Sequence, residues 1–162
     1  MYTPPDPGAS TATSAHVVVA AVFQVRAGRL AVLLWERARD PFAGSWALPG
    51  GELAADETLE RSIRRHLATK VDVRELSHLE QLETQVDGAA PQPWQVTTAF
   101  LGLVPSHLDP AIPGDTSWHP VDAPPELAFA NGATITRGRD RLRAKRAQEL
   151  DSALRAGERP DV

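Results

Sequence analysis

The sequence predicts a single α/β domain of the α+β kind, and three observations predict it. Two β-branched runs, His16–Gln24 (HVVVAAVFQ) and Leu30–Arg37 (LAVLLWER), flank the turn Arg26-Ala27-Gly28-Arg29, the pattern of a strand hairpin. Leu59, Ile63 and Leu67 recur at a spacing of four, which draws one apolar stripe down a helix. A second helical segment, Ala133–Ala156, closes the chain after further strand-like runs. At 162 residues, with 42% apolar and 23% charged residues, the chain can bury one core of ordinary globular composition.

Residues 1–14 (MYTPPDPGASTATS) are rich in proline, serine and threonine, so they read as a disordered tail ahead of a folded domain over 15–145. They lack the basic start and apolar centre of a signal peptide. No apolar run approaches the ~20 residues needed to span a bilayer. With no cysteine for disulfides, thiolate nucleophiles or thiolate metal sites, the expectation is a soluble, cytoplasmic protein. The formal charge of −4 makes no global case for nucleic acid, although residues 131–162 hold 8 Lys/Arg against 5 Asp/Glu.

After the hairpin comes Gly44–Val73, GSWALPGGELAADETLERSIRRHLATKVDV, around which the rest is organised. It reads as a strand ending in a tight turn at Gly50-Gly51, where glycine tolerates positive φ and close approach. A helix then starts with Asp56 as N-cap and Glu57 and Glu60 in its first turn, and a loop follows at Val71-Asp72-Val73. Ser77–Val86 and Trp94–Val104 read as strands joined by the turn Asp87–Pro93. Pro105–Asp115 is a proline-punctuated loop and Thr116–Val121 a short strand. The last segment carries Arg137, Arg139, Arg141, Arg143, Lys145 and Arg146, which at helical pitch wrap most of the circumference. That predicts a solvated helix to Ala156, with the domain taken to end at 145 and residues 146–162 forming the end of the helix and a frayed tail.

The central stretch resembles the signature box of the Nudix superfamily, G-x5-E-x7-R-E-U-x-E-E-x-G-U, where U is a bulky aliphatic. Gly51, Glu57, Arg65, Leu67 and Val73 match it, and Trp46-Ala47-Leu48-Pro49-Gly50 is similar to the family's approach to the box. The resemblance implies a mixed β-sheet sandwiched between helices. It also implies that Glu57 and Arg65 act as a structural ion pair, and that magnesium or manganese would be held by carboxylates at positions occupied here by His66, Thr69 and Lys70. Three carboxylates three and four apart on a helix converge on hard cations; an imidazole, a hydroxyl and an ammonium do not. The closing glycine is replaced by Asp72. No cofactor is therefore expected, and no residue is assigned to a metal.

His78–Thr84 (HLEQLET), Trp118–Val121 and Leu127–Phe129 also resemble the Nudix domains of transcriptional regulators of NAD metabolism, whose ligands are ADP-ribose and related nucleotides. The arginine-bearing loop of those domains has no counterpart in Gln85–Pro93, and their winged helix-turn-helix would not fit in the residues after 145, so DNA binding is not expected of this chain alone. Three readings follow. In the first, the domain binds a nucleoside-diphosphate derivative without cleaving it, through Arg37, Arg39, Gly50, Gly51, His66 and Lys70; Lys70 neutralises the pyrophosphate in place of a metal, with His66 on a neighbouring face. In the second, it is a metal-dependent hydrolase using relocated carboxylates among Glu52, Glu57, Glu80 and Glu83, with Glu57 catalytic. In the third it is an interaction scaffold whose basic helix contacts a partner. Trp118 is assigned to the sheet–helix core in preference to stacking on a base. The four tryptophans are material for a homodimer interface.

Overall fold

The computed structural model describes residues 15–87 and 95–157; the N-terminal tail, the expected turn after Asp87 together with Trp94, and the last five residues lie outside that description. In order, the elements are β1 (Ala15–Arg26), β2 (Arg29–Glu36), β3 (Trp46–Ala47), β4 (Gly50–Glu52), α1 (Leu59–Lys70), β5 (His78–Asp87), β6 (Gln95–Leu103), β7 (Thr116–Pro120) and α2 (Asn131–Gly157). The strands form one mixed sheet in the order β3-β2-β1-β6-β5, with β4 added to β1 and β7 to β2. The β1–β6 pair is parallel, and the other strand pairs described are antiparallel.

Strand β1 is apolar on both sides because both of its faces are covered. Val18, Ala20 and Val22 face α1 and pack with Ile63, Leu67, Leu33 and Phe100. Ala21 and Phe23 face the opposite way and pack with Ile135 of α2, Val32, Leu34 and Leu101. The period-2 alternation of a strand thus separates two cores and places the two helices on opposite faces. The β1–β2 turn has Ala27 at φ 49° and Gly28 at φ 75° between the paired residues Arg26 and Arg29, a two-residue hairpin turn that follows the right-handed twist of the strands. The Pro105–Asp115 loop is held to β1 by buried Gln24, whose Nε2 donates to the carbonyls of Pro105 and Leu108 at 2.8 and 2.7 Å.

Several local expectations change. The N-cap of α1 is Thr58, not Asp56: its hydroxyl accepts from the Arg61 amide at 3.1 Å, and the helix starts at Leu59. The Gly50-Gly51 pair is extended strand rather than a positive-φ turn, since it pairs with Val19 and Val18. The left-handed residues of this region are Gly44 (φ 85°) and Asp72 (φ 56°). Aspartate, with its short polar side chain, tolerates that conformation where the family has glycine. Helix α2, in contrast, has the expected extent to within two residues at each end, Asn131–Gly157 against Ala133–Ala156. Trp35 and Trp118 pack on the α1 side of the sheet and Trp46 on the α2 side, so these three rings are part of the cores.

Candidate functional site

The site is the meeting of α1 with β4, and a missing Cβ makes the meeting possible. A Cβ on Gly51 would lie 2.5 Å from Lys70 Nζ and 2.7 Å from His66 Nδ1, distances that real side chains do not reach. On Gly50 it would strike the Val18 carbonyl oxygen and lie 2.8 Å from Val19 Cα. Both glycines are therefore required by close approach, one to a helix and one to a neighbouring strand. Four residues apart, His66 and Lys70 share one face of α1, and both reach β4: His66 Nε2 is 2.8 Å from the Glu52 carbonyl and Lys70 Nζ donates to the Gly50 carbonyl at 2.6 Å. His66 thus stands on the same face as Lys70, not a neighbouring one.

The two groups differ in access. His66 is only 5% exposed. Burial pushes its pKa below the usual imidazole range, and the charges of Lys70 and Arg65 push the same way, so at neutral pH the ring is neutral. A carbonyl oxygen only accepts, so Nε2 carries the proton and Nδ1 is left as a buried acceptor with no protein partner among the described residues. Lys70 is partly buried; burial first, and the Arg65 charge second, lower its pKa below that of a free lysine. Its ammonium lies 5.3 Å from the centre of the Trp35 ring, whose Nε1 is a buried donor also lacking a partner. Lys70 gives one N–H to Gly50 and has two more. The arrangement presents an ammonium with two remaining donors over an aromatic face, the chemistry of an anion site rather than a cation site.

Glu57 and Arg65 form the expected ion pair. Arg65 grips the carboxylate with two bonds, Nε to Oε2 at 2.6 Å and Nη2 to Oε1 at 2.7 Å, while Glu57 Oε1 also accepts from the Ala54 amide at 3.2 Å. The guanidinium holds the Glu57 carboxyl well below the carboxylate range, at about 2. The pair ties the 53–58 loop to α1.

The divalent metal that the resemblance implies does not fit these residues. Glu57 is committed to Arg65, His66 Nε2 to a carbonyl, and Thr69 Oγ1 donates to the Arg65 carbonyl at 2.8 Å. Among the described residues, no three of His, Asp and Glu converge in a way that could hold a metal ion. Glu80 and Glu83 neither face water nor approach the box. Glu83 accepts from Arg137 Nη1 at 2.6 Å, and Glu80 lies 3.7 Å from Arg141 and 3.5 Å from Lys145, all on α2 and so across the sheet from α1. Glu52 supplies its carbonyl to His66.

The remaining candidates are spread along the edge of β2. Arg37 donates Nε to the Pro41 carbonyl at 2.9 Å and stacks 4.8 Å from the Phe129 ring centre. Phe129 meets Phe42 edge-on at 4.9 Å. Arg37 therefore braces the 37–45 loop, and Arg39 is exposed in that loop. Sequence reasoning missed two participants. Trp35 is an ordinary core tryptophan by pattern, and only the approach of Lys70 reveals it. Asn131, whose Oδ1 accepts the Leu48 amide at 3.0 Å, anchors the start of α2 to the approach to the box; its place directly after Leu127–Ala130 was the available signal.

A NUDIX domain family model matches residues 15–137. The ADPR-responsive transcriptional repressor NtrR of Acinetobacter baylyi is 33% identical over 87 residues, 52% of this chain and 34% of the repressor; the match thus takes in only about a third of that relative's length. The crystallised NUDIX domain of Shewanella oneidensis NrtR, in complex with ADP ribose, superposes with a TM-score of 0.68 at 33% identity, covering 85% of this chain and 93% of that one. The longer Shewanella oneidensis NrtR structure gives 0.71 at 33% identity over 80% of this chain and 63% of that chain.

Proposed function

The chain belongs to the Nudix family, and from that premise we propose that it binds a nucleoside-diphosphate derivative of the ADP-ribose type, without hydrolysing it, in a regulatory or sensing role. The observation that carries the proposal is Lys70: an ammonium held at 2.6 Å from the Gly50 carbonyl occupies a box position that the family gives to a metal-holding carboxylate. A fixed cation there neutralises a pyrophosphate directly and removes the need for a divalent ion. The likeness to a NUDIX domain crystallised with ADP ribose supports the ligand class. His66 serves as a support that orients β4 and Lys70, while Gly50 and Gly51 admit the close approach. Arg39, exposed in the 37–45 loop, is the remaining arginine candidate for the rest of the ligand, whereas Arg37 is committed to bracing that loop.

The test is a thermal-shift panel of ADP-ribose, NAD, dinucleoside polyphosphates and nucleoside triphosphates, each with and without magnesium. A ligand at a hundredfold excess over its Kd stabilises the folded state by about 2.7 kcal/mol, a shift of several degrees. The expected result is a shift by ADP-ribose that needs no magnesium and disappears in Lys70→Glu. Binding that requires magnesium, with nucleoside monophosphate released and that release lost in Glu57→Gln, would instead establish a metal-dependent hydrolase with relocated carboxylates. A second reading has its own observation: His66 and Lys70 both bond carbonyls of β4 and so staple helix to strand. If no nucleotide shifts the transition and Lys70→Glu merely lowers stability, the domain is a scaffold and the staple is the purpose of the substitutions.

A further inference from the structure

Behind the box helix lies an open cavity of about 340 Å³, lined by Arg64, Arg65, Leu67, Ala68, Val73, Arg74 and Leu76. Its origin is local. Asp72 in the left-handed conformation turns the chain back after α1, so that the Val73 amide bonds the Leu67 carbonyl at 3.0 Å and Arg74 Nη2 reaches the Ala68 carbonyl at 3.4 Å. The returning segment forms one wall, the last two turns of α1 the other. The apolar surface open to a ligand is that of the half-buried Ala68 and Leu76; Leu67 and Val73 beneath them are closed into the core.

The charged residues lining the cavity are all arginines, and each uses only part of its donor set. Arg64 gives Nε to Glu60, Arg65 gives Nε and Nη2 to Glu57, and Arg74 gives Nε to Asp72 and Nη2 to the Ala68 carbonyl. Among the described residues this leaves both terminal nitrogens of Arg64, and Nη1 of Arg65 and Arg74, without a strong protein acceptor. Their neutralising carboxylates, Glu57, Glu60 and Asp72, do not line the cavity. A volume of this size suits a small ligand, guanidinium forks suit a planar or tetrahedral oxyanion, and the half-buried Ala68 and Leu76 suit a short hydrocarbon.

We propose that this cavity is a second ligand site, for a small oxyanion carrying a short apolar body, a carboxylate or phosphate monoester with several carbons. It is separate from the Lys70 site and independent of the nucleotide reading, yet Arg65 belongs to both neighbourhoods, because its other nitrogens hold Glu57 and the 53–58 loop. The test is isothermal titration of the folded chain at low ionic strength with hexanoate and hexyl phosphate, against inorganic phosphate and 1-hexanol. Saturable binding of at least one amphipathic anion is expected, and which of the two binds tells carboxylate from phosphate chemistry. Inorganic phosphate should bind at least about tenfold more weakly, since it buries no hydrocarbon, and hexanol should give no saturable signal. Arg74→Gln and Arg64→Gln, both at exposed side chains, should each weaken binding about tenfold by removing a charge-assisted bond. Ala68→Phe should abolish binding by filling the cavity. Absence of saturable binding, equal affinity for inorganic phosphate, or indifference to both arginine variants would each overturn the proposal.

Discussion

The two helices cover opposite faces of one sheet by different physics. Helix α1 docks with Ile63 and Leu67, both 0% exposed, and adds bonds from His66 and Lys70 to strand carbonyls. Helix α2 buries Ile135 and comes close at Gly138, where a Cβ would meet Phe23 at 2.9 Å; Leu142 is partly buried. Its middle then depends on ion pairs from Arg137, Arg141 and Lys145 to Glu83 and Glu80. From Arg146 to Gly157 every residue is exposed, including Leu150 and Leu154. Apolar docking tolerates salt, whereas partly exposed ion pairs are screened by it and contribute little singly. The candidate site sits on the side built from the more robust packing.

Breaking the α1 side should cost most. Leu67→Ala removes a fully buried side chain and should destabilise the domain by about 2–5 kcal/mol in urea denaturation, with no dependence on salt. Gly51→Val would drive a side chain into His66 and Lys70; about 1–3 kcal/mol should be lost, and the nucleotide response should go with it. A loss of stability with the response intact would remove Lys70 from the site.

Acid sharpens the comparison. Burial lowers the His66 pKa below its unfolded value of 6.5, so the unfolded chain takes up a proton at this ring before the folded one does. The stabilisation is complete above pH 6.5 and is lost as pH falls below it. Glu57, lowered from 4.5 to about 2 by Arg65, favours the folded state above pH 4.5 and loses that contribution as pH falls towards 2. The urea midpoint should therefore decline below pH 6.5 in the parent, and His66→Gln should flatten the first part of that decline. An identical profile in the variant would show that His66 does not titrate on unfolding.

The smallest effect is expected on the α2 side. Glu80→Gln with Glu83→Gln should lower global stability by no more than about 1 kcal/mol. It should nevertheless raise hydrogen exchange in the middle of α2 at low ionic strength, and salt should produce a similar increase in the parent. Equal protection of both helices in the double variant would mean that Ile135 and Leu142 suffice to hold α2.

Much of this was legible in the residues. Strand alternation, the four-residue stripe of α1 and the paired Glu57 and Arg65 are local or motif-borne signals, and they led to the family fold and to the loss of the box carboxylates at His66, Thr69 and Lys70. The cap was misplaced by two residues because Asp56 and Thr58 are both good caps by type, and only backbone geometry selects between them. Local pattern and residue type suffice for the set of elements, their apolar faces and the charge carried by the box. That Gly50 and Gly51 are strand follows from packing at a distance, since their conformation is set by pairing with Val18 and Val19 across more than thirty residues of chain. The pairing of Glu80 and Glu83 with α2, more than fifty residues away, has the same origin, because a carboxylate's partner is chosen by which charges packing brings within reach.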